Sequence, residues 1–91
     1  MNNLRKSASA EKPSSYPVFI ADGVIYSNFI WRLKLDELDG RLVFDLRRWI
    51  LKVDDDPRPT LKGLCLSIEH LDEIVEALIK AIQVRDSICN E

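Results

Sequence analysis

Residues 40–66 read GRLVFDLRRWILKVDDDPRPTLKGLCL, and the side-chain order in this stretch decides the fold. Leu42, Phe44 and Leu46 alternate with Arg41, Val43, Asp45, Arg47 and Trp49. This is the two-residue period of a strand with one apolar face and one face of basic and aromatic groups. Arg48 falls on the apolar side or at the edge, where its head is expected to snorkel outward. Asp54, Asp55, Asp56, Pro57, Arg58 and Pro59 are expected to form a loop, because each proline removes a donor that a central ladder needs. Residues 61–66 then make a short further strand, with Gly63 permitting close backbone approach. Two strands that share basic and aromatic side chains on one face point to a surface for an extended polyanion.

Toward the N-terminus, Asp39-Gly40 is the strongest hairpin signal, since that pair supplies the positive φ angles of a type I′ turn. In residues 29–38, Trp31, Leu33 and Leu35 fall on one side and Arg32, Lys34 and Asp36 on the other. Ser27-Asn28 marks a turn, residues 24–26 a short strand, and Asp22-Gly23 another turn. Residues 1–15 (MNNLRKSASAEKPSS) have no apolar period and are expected to be a disordered polar arm, leaving 16–91 as the domain. Toward the C-terminus, Ser67 is placed to N-cap a helix whose first turns carry Glu69, Asp72 and Glu73. Ile68, Leu71, Ile74, Val75, Leu78, Ile79 and Ile82 recur at spacings of three and four, carrying that helix to about Val84 or Ile88. The expected fold is therefore α+β: a curved four-stranded antiparallel sheet followed by one C-terminal amphipathic helix on its apolar face. The apolar stripe is wide for one sheet to cover, so part of it is expected to pair with a second chain in a homodimer.

Size points the same way. Ninety-one residues make one domain and bury only about 60–65 % of the unfolded surface, which favours oligomerisation. Cys65 and Cys89 form no metal-ligand spacing and are expected to be thiols in a reducing compartment. No apolar run reaches the length of a membrane span and no signal peptide opens the chain, so a soluble intracellular protein is expected. The net charge of −2 is unevenly spread. Arg32, Lys34, Arg41, Arg47, Arg48, Lys52, Arg58 and Lys62 crowd the strands, whereas the last quarter is acidic. Local field rather than total charge governs binding, although a −2 protein should bind polyanions more weakly and with more salt sensitivity than a basic one.

The combination GRLVFDLRRWI…PRPTLKGLCLS at this spacing resembles the C-terminal core of the transcriptional positive cofactor four family, single-stranded-DNA-binding coactivators. The residues that carry the likeness are Gly40, Val43 or Phe44, Asp45, Leu46, Arg47 and Trp49, then Pro59, Lys62, Gly63, Leu64 and Leu66, within a match over residues 24–84. The resemblance implies a homodimer with helices at its centre and grooves that hold single strands. Carried over by position, Arg41, Arg47, Arg58 and Lys62 are the matching basic sites, with Trp49 in the family's aromatic pair. Four positions depart from the pattern: Leu38 stands for an aromatic, Asp39 for a lysine, Ile50 for an aromatic and Leu61 for a base.

Physics independent of the family agrees, because exposed bases stack on aromatic groups while phosphates pair with Arg and Lys. The expected function is non-enzymatic binding of single-stranded or unwound DNA with little sequence preference, as a transcriptional coactivator or regulator. The candidate contacts are Arg41, Arg47, Trp49, Arg58, Lys62, Lys34 and Arg32. RNA fits the same chemistry, and the transcription machinery is a further expected partner. The only helix is acidic, which excludes a major-groove recognition element. Asp54–Asp56 lack the alternating spacing of a calcium loop, and His70 has no nucleophile partner, so neither a metal, a cofactor nor catalysis is expected. A bacterial protein of this kind works in the cytoplasm at the nucleoid, a eukaryotic one in the nucleus. The four departures and the negative charge motivate an alternative: a dimeric protein-interaction module whose nucleic-acid face has decayed.

Overall fold

The computed structural model describes residues 15–90; the expected arm, residues 1–15, lies outside the described residues but for Ser15. Four strands, β1 (Val18–Tyr26), β2 (Phe29–Leu38), β3 (Arg41–Lys52) and β4 (Asp55–Ser67), form one antiparallel sheet in the order β1-β2-β3-β4. A 3-10 turn, Ile68–His70, leads into the helix α1 (Leu71–Cys89). Every connection between strands is a hairpin, and the β2–β3 turn is the one the sequence announced. Leu38 pairs with Arg41, and Asp39 (φ 52°) and Gly40 (φ 79°) take the two left-handed positions of the type I′ loop.

Three local expectations are corrected. Asp22-Gly23 is not a turn, because β1 runs straight through it, with irregularities between Phe19 and Ala21 and between Val24 and Tyr26 absorbing the twist. Gly23 is there for space: a Cβ would lie 2.7 Å from the Trp31 indole. The acidic-proline run is not a loop either. Only Val53 and Asp54 turn, and β4 resumes at Asp55, opposite Lys52. Prolines are excluded from central strands, but β4 is an edge strand, where a missing donor faces away from the ladder. Finally, Ser67 makes no side-chain cap bond, since the chain enters the helix through the 3-10 turn and α1 begins three residues later.

The two faces of the sheet divide as the alternation requires. Leu33 opposes Leu46, Leu35 opposes Phe44, and Phe44 opposes Leu66 on the apolar face. Arg48 lies on this side with its guanidinium carbon 4.2 Å from the Phe29 ring centre. The expected packing of the helix on that face does not occur within one chain. No residue of α1 is buried, and only Leu71 and Ile74 are half-buried. Val75, Leu78, Ile79 and Ile82 stand about half exposed. The apolar core is accordingly small: among the described residues, Ile30, Phe44 and Trp49 are the buried apolar side chains. The radius of gyration is 15.9 Å, against about 12 Å for a compact chain of this length. No helix among the described residues is long and apolar enough to cross a membrane.

Candidate nucleic-acid interface

On the polar face, Ile30 opposes Trp49, Arg32 opposes Arg47 and Lys34 opposes Asp45. Directly opposed residues share a face, so β2 and β3 gather three cations and an indole into one patch. β1 completes it with Phe19 and Asp22, which pair with Lys34 and Arg32. Trp49 is only 7 % exposed. Phe19 meets it edge-on with ring centres 6.1 Å apart, and the Arg32 guanidinium lies against both rings, 4.6 Å from Trp49 and 5.0 Å from Phe19. Lys34 Nζ approaches the same indole at 5.9 Å. The Trp49 indole is thus the floor of the patch, stacked with a cation, rather than an open platform for bases. Its Nε1 and the Arg32 Nε are buried without a hydrogen-bond partner among the described residues.

Each cation of this patch has a carboxylate. Arg32 pairs with Asp22 at 3.4 Å, Lys34 with Asp36 at 3.3 Å, and Arg47 with Asp45 at 2.7 Å. The last is of a different kind from the others. Arg47 Nε donates to both Asp45 oxygens, at 2.7 and 3.0 Å, while Nη1 donates to the Thr60 carbonyl at 2.9 Å. Asp45 is 7 % exposed, so the pair is desolvated and its geometry fixed. The hydrogen bond to Asp45 holds the Arg47 pKa above its ordinary value, against the opposing effect of burial. Of the five guanidinium donors, those on Nη2 remain uncommitted within the described residues.

β4 frames the patch with an irregular stretch. Arg47 opposes Gly63 and Trp49 opposes Pro59, so Thr60, Leu61 and Lys62 stand against the single residue Arg48. Gly63 has φ +155°, and a Cβ there would meet the Arg47 Cβ at 2.1 Å, so only glycine lets the strands close at this point. The bulge is tied down by Thr60 Oγ1 donating to the Arg48 carbonyl at 2.8 Å and by Lys62 N donating to Thr60 Oγ1 at 3.2 Å. Between bulge and patch lies a cleft of about 350 Å³ lined by Lys34, Asp45, Arg47, Pro59, Thr60 and Leu61. Cys65, opposite Asp45, is a free thiol. Desolvation and then Asp45 raise its pKa, although part of the residue is exposed.

Of the sequence-derived candidates, Arg32, Lys34, Arg47 and Trp49 are brought together, and Lys62 sits exposed on the adjoining bulge. Two are not. Arg41 is at the far end of β3, beside a separate cleft with Leu42, Ser67, Ile68 and Glu69. Arg58 opposes Ile50 on the other pleat and pairs loosely with Asp55 at 3.4 Å, both groups more than half exposed. Sequence reasoning missed Phe19, Asp22, Thr60 and Leu61 as members. Phe19 and Asp22 were hidden by the expected turn, and Thr60 fell between the expected loop and the expected last strand. His70, the last residue of the 3-10 turn, is exposed and pairs with Glu73 in the first turn of α1.

Neither a family model nor a curated protein matches the sequence. Solved structures do. A PC4 homologue from Burkholderia pseudomallei in a tetragonal crystal superposes with a TM-score of 0.65 at 26 % identity, over 72 % of this chain and 97 % of that one. The orthorhombic form of the same homologue gives 0.66 at 25 %, over 78 % and 95 %. A bacteriophage T5 homologue of the eukaryotic transcription coactivator PC4, implicated in recombination-dependent DNA replication, gives 0.62 at 18 % over 81 % and 83 %, a likeness of fold alone. The open four-stranded sheet with its C-terminal helix is PC4-like, as the spacing of residues 40–66 led one to expect.

Proposed function

We propose that this chain is a non-enzymatic, homodimeric protein that binds single-stranded or unwound DNA and acts as a transcriptional coactivator or regulator. The observation that carries the reading is the patch itself: Arg32, Lys34 and Arg47 around Trp49 on one face of β2 and β3, with exposed Lys62 beside it. The likeness to PC4 homologues supports it. Bound strands lie along the cleft between the patch and β4, with Lys34, Lys62 and the spare donors of Arg47 on phosphates. Arg32 and Trp49 contribute the floor and Arg41 extends the track toward the far end of β3, while Arg58 stands on the other pleat, outside it. RNA offers the same groups to these contacts. The homodimer rests on the uncovered stripe of α1, Val75, Leu78, Ile79 and Ile82, and on the small core. Cytoplasm at the nucleoid, or the nucleus, is the corresponding site of action.

Fluorescence anisotropy of a labelled oligo-dT of roughly twenty nucleotides, with the matching duplex as control, tests this. Three to four phosphates neutralised per site give a slope of about −2 to −3 in log K against log salt, with preference for the single strand. Absence of binding at low salt would sink the proposal.

One observation favours a second reading. The cations of the patch are balanced one for one by Asp22, Asp36 and Asp45, so the local field is weaker than the count of bases suggests. On that reading the domain is a dimeric protein-interaction module, and a stable protein partner replaces salt-dependent DNA binding.

A further inference from the structure

Leu61 is 96 % exposed, in a strand rather than at a chain end. It stands there because the bulge forces it out. Thr60, Leu61 and Lys62 together oppose Arg48, and the flanking backbone is held by Arg47 Nη1 to the Thr60 carbonyl, by Thr60 Oγ1 to the Arg48 carbonyl and by Lys62 N to Thr60 Oγ1. Gly63 closes the bulge where no Cβ fits. An apolar side chain on such a pinned backbone is presented, not merely left over. It faces a cleft with two chemically different sides: Pro59 and Leu61 are apolar, while Lys34, Asp45 and Arg47 are charged. At about 350 Å³ the cleft is at the lower end of the range for small-molecule clefts. Trp49 is covered by Phe19 and Arg32 and offers no free ring face to a base.

We propose that Leu61 and Pro59 form the base-contacting wall of the groove, so that an unpaired nucleobase packs its face on Leu61 while the cations opposite take its backbone phosphate. This deepens the proposed function and rests on it. The patch residue that looks most like a stacking platform, Trp49, is then structural, and the contact with bases comes from an aliphatic residue on the edge strand. Paired bases keep their faces in the stack, so the contact selects unpaired strands. Leucine reads no hydrogen-bond pattern, so it does so without sequence preference.

The test uses two strands of equal length and charge, oligo-dT and a strand of abasic sites, titrated against the wild type, Leu61→Ala and Leu61→Met. The wild type is expected to bind the base-bearing strand about fivefold or more tightly than the abasic one, the effect of roughly 1 kcal/mol of apolar burial against a base. Leu61→Ala lowers affinity for oligo-dT by a similar factor, leaves the abasic strand unchanged, and Leu61→Met restores most of the loss. Equal affinities of Leu61→Ala and wild type for oligo-dT overturn the inference and leave phosphate-driven binding standing. Equal losses on both strands, or a shifted urea midpoint for Leu61→Ala, also overturn it, since Leu61 would then serve the fold. If the wild type binds neither strand, the proposed function falls and this inference with it.

Discussion

The polar face of the sheet and the exposed stripe of α1 satisfy themselves in opposite ways. On the sheet, charged groups are partnered within the chain: Asp45 holds Arg47, Asp22 holds Arg32, and Arg32 covers Trp49. On the helix, Val75, Leu78, Ile79 and Ile82 stand about half exposed among the described residues. The first region is largely satisfied within one chain; the second leaves apolar side chains about half exposed. A polar site built this way spends little ordering on binding, whereas an apolar face of this width drives association.

The widest expected effect breaks the sheet side. Arg47→Ala leaves Asp45 with its main partner gone at 7 % exposure, and a loss of about 3–5 kcal/mol is expected in urea unfolding. Removing Asp45 as well, as Asp45→Ala in the same chain, should recover part of it. The Arg47 pKa is raised in the folded state, so this residue's contribution is fully present below the unfolded value and is lost only as pH rises through the still higher folded one. Stability from Arg47 should therefore be flat from pH 6 to 9. A DNA-binding deficit of Arg47→Ala must be read beside its unfolding curve, because the side chain holds both the site and the bulge.

Next comes the helix. Leu78→Asp places a charge in the exposed stripe, and the dissociation constant of the proposed dimer, measured by sedimentation, should rise a hundredfold or more, about 2.7 kcal/mol. An unchanged oligomeric state would erase the contrast between the two regions. Lys62→Ala separates binding from folding, since Lys62 is exposed and, among the described residues, is hydrogen-bonded through its backbone alone. A loss of threefold to tenfold in oligo-dT affinity is expected, with the salt slope falling by about 0.7 and the urea midpoint fixed. Arg58→Ala should be nearly silent in stability, within about 1 kcal/mol, because both members of its pair are more than half exposed. Smallest is the Cys65 thiol, whose raised pKa makes its alkylation midpoint with pH lie above that of a free cysteine. A normal midpoint would show that the site is wetter than its geometry implies.

Much of this was legible beforehand because strand alternation is a local property. Arg32, Lys34, Arg47 and Trp49 share a face by parity alone, and Asp39-Gly40 sets the register that brings them opposite one another. What failed were inferences that treated a local signal as if its place in the sheet were known. Two prolines read as a loop because a central position was assumed, and Asp22-Gly23 read as a turn because nothing local reports that Trp31 needs the space above Gly23. That Trp49 lies covered is equally invisible locally, because Phe19 and Arg32 come from two other strands.

By itself, then, the sequence determined the number of strands, the division of their side chains into two faces, the tight turn between β2 and β3, and the amphipathic helix. Each follows from periods of two or 3.6 residues and from the φ angles that Gly and Asp accept. Only the tertiary structure decided that β4 is an edge strand, that Arg47 is spent on Asp45 and Thr60, that Trp49 lies beneath Arg32, and that α1 stands clear of its own sheet. Those outcomes depend on which groups from distant segments reach the same volume, and no pattern within a segment carries that information.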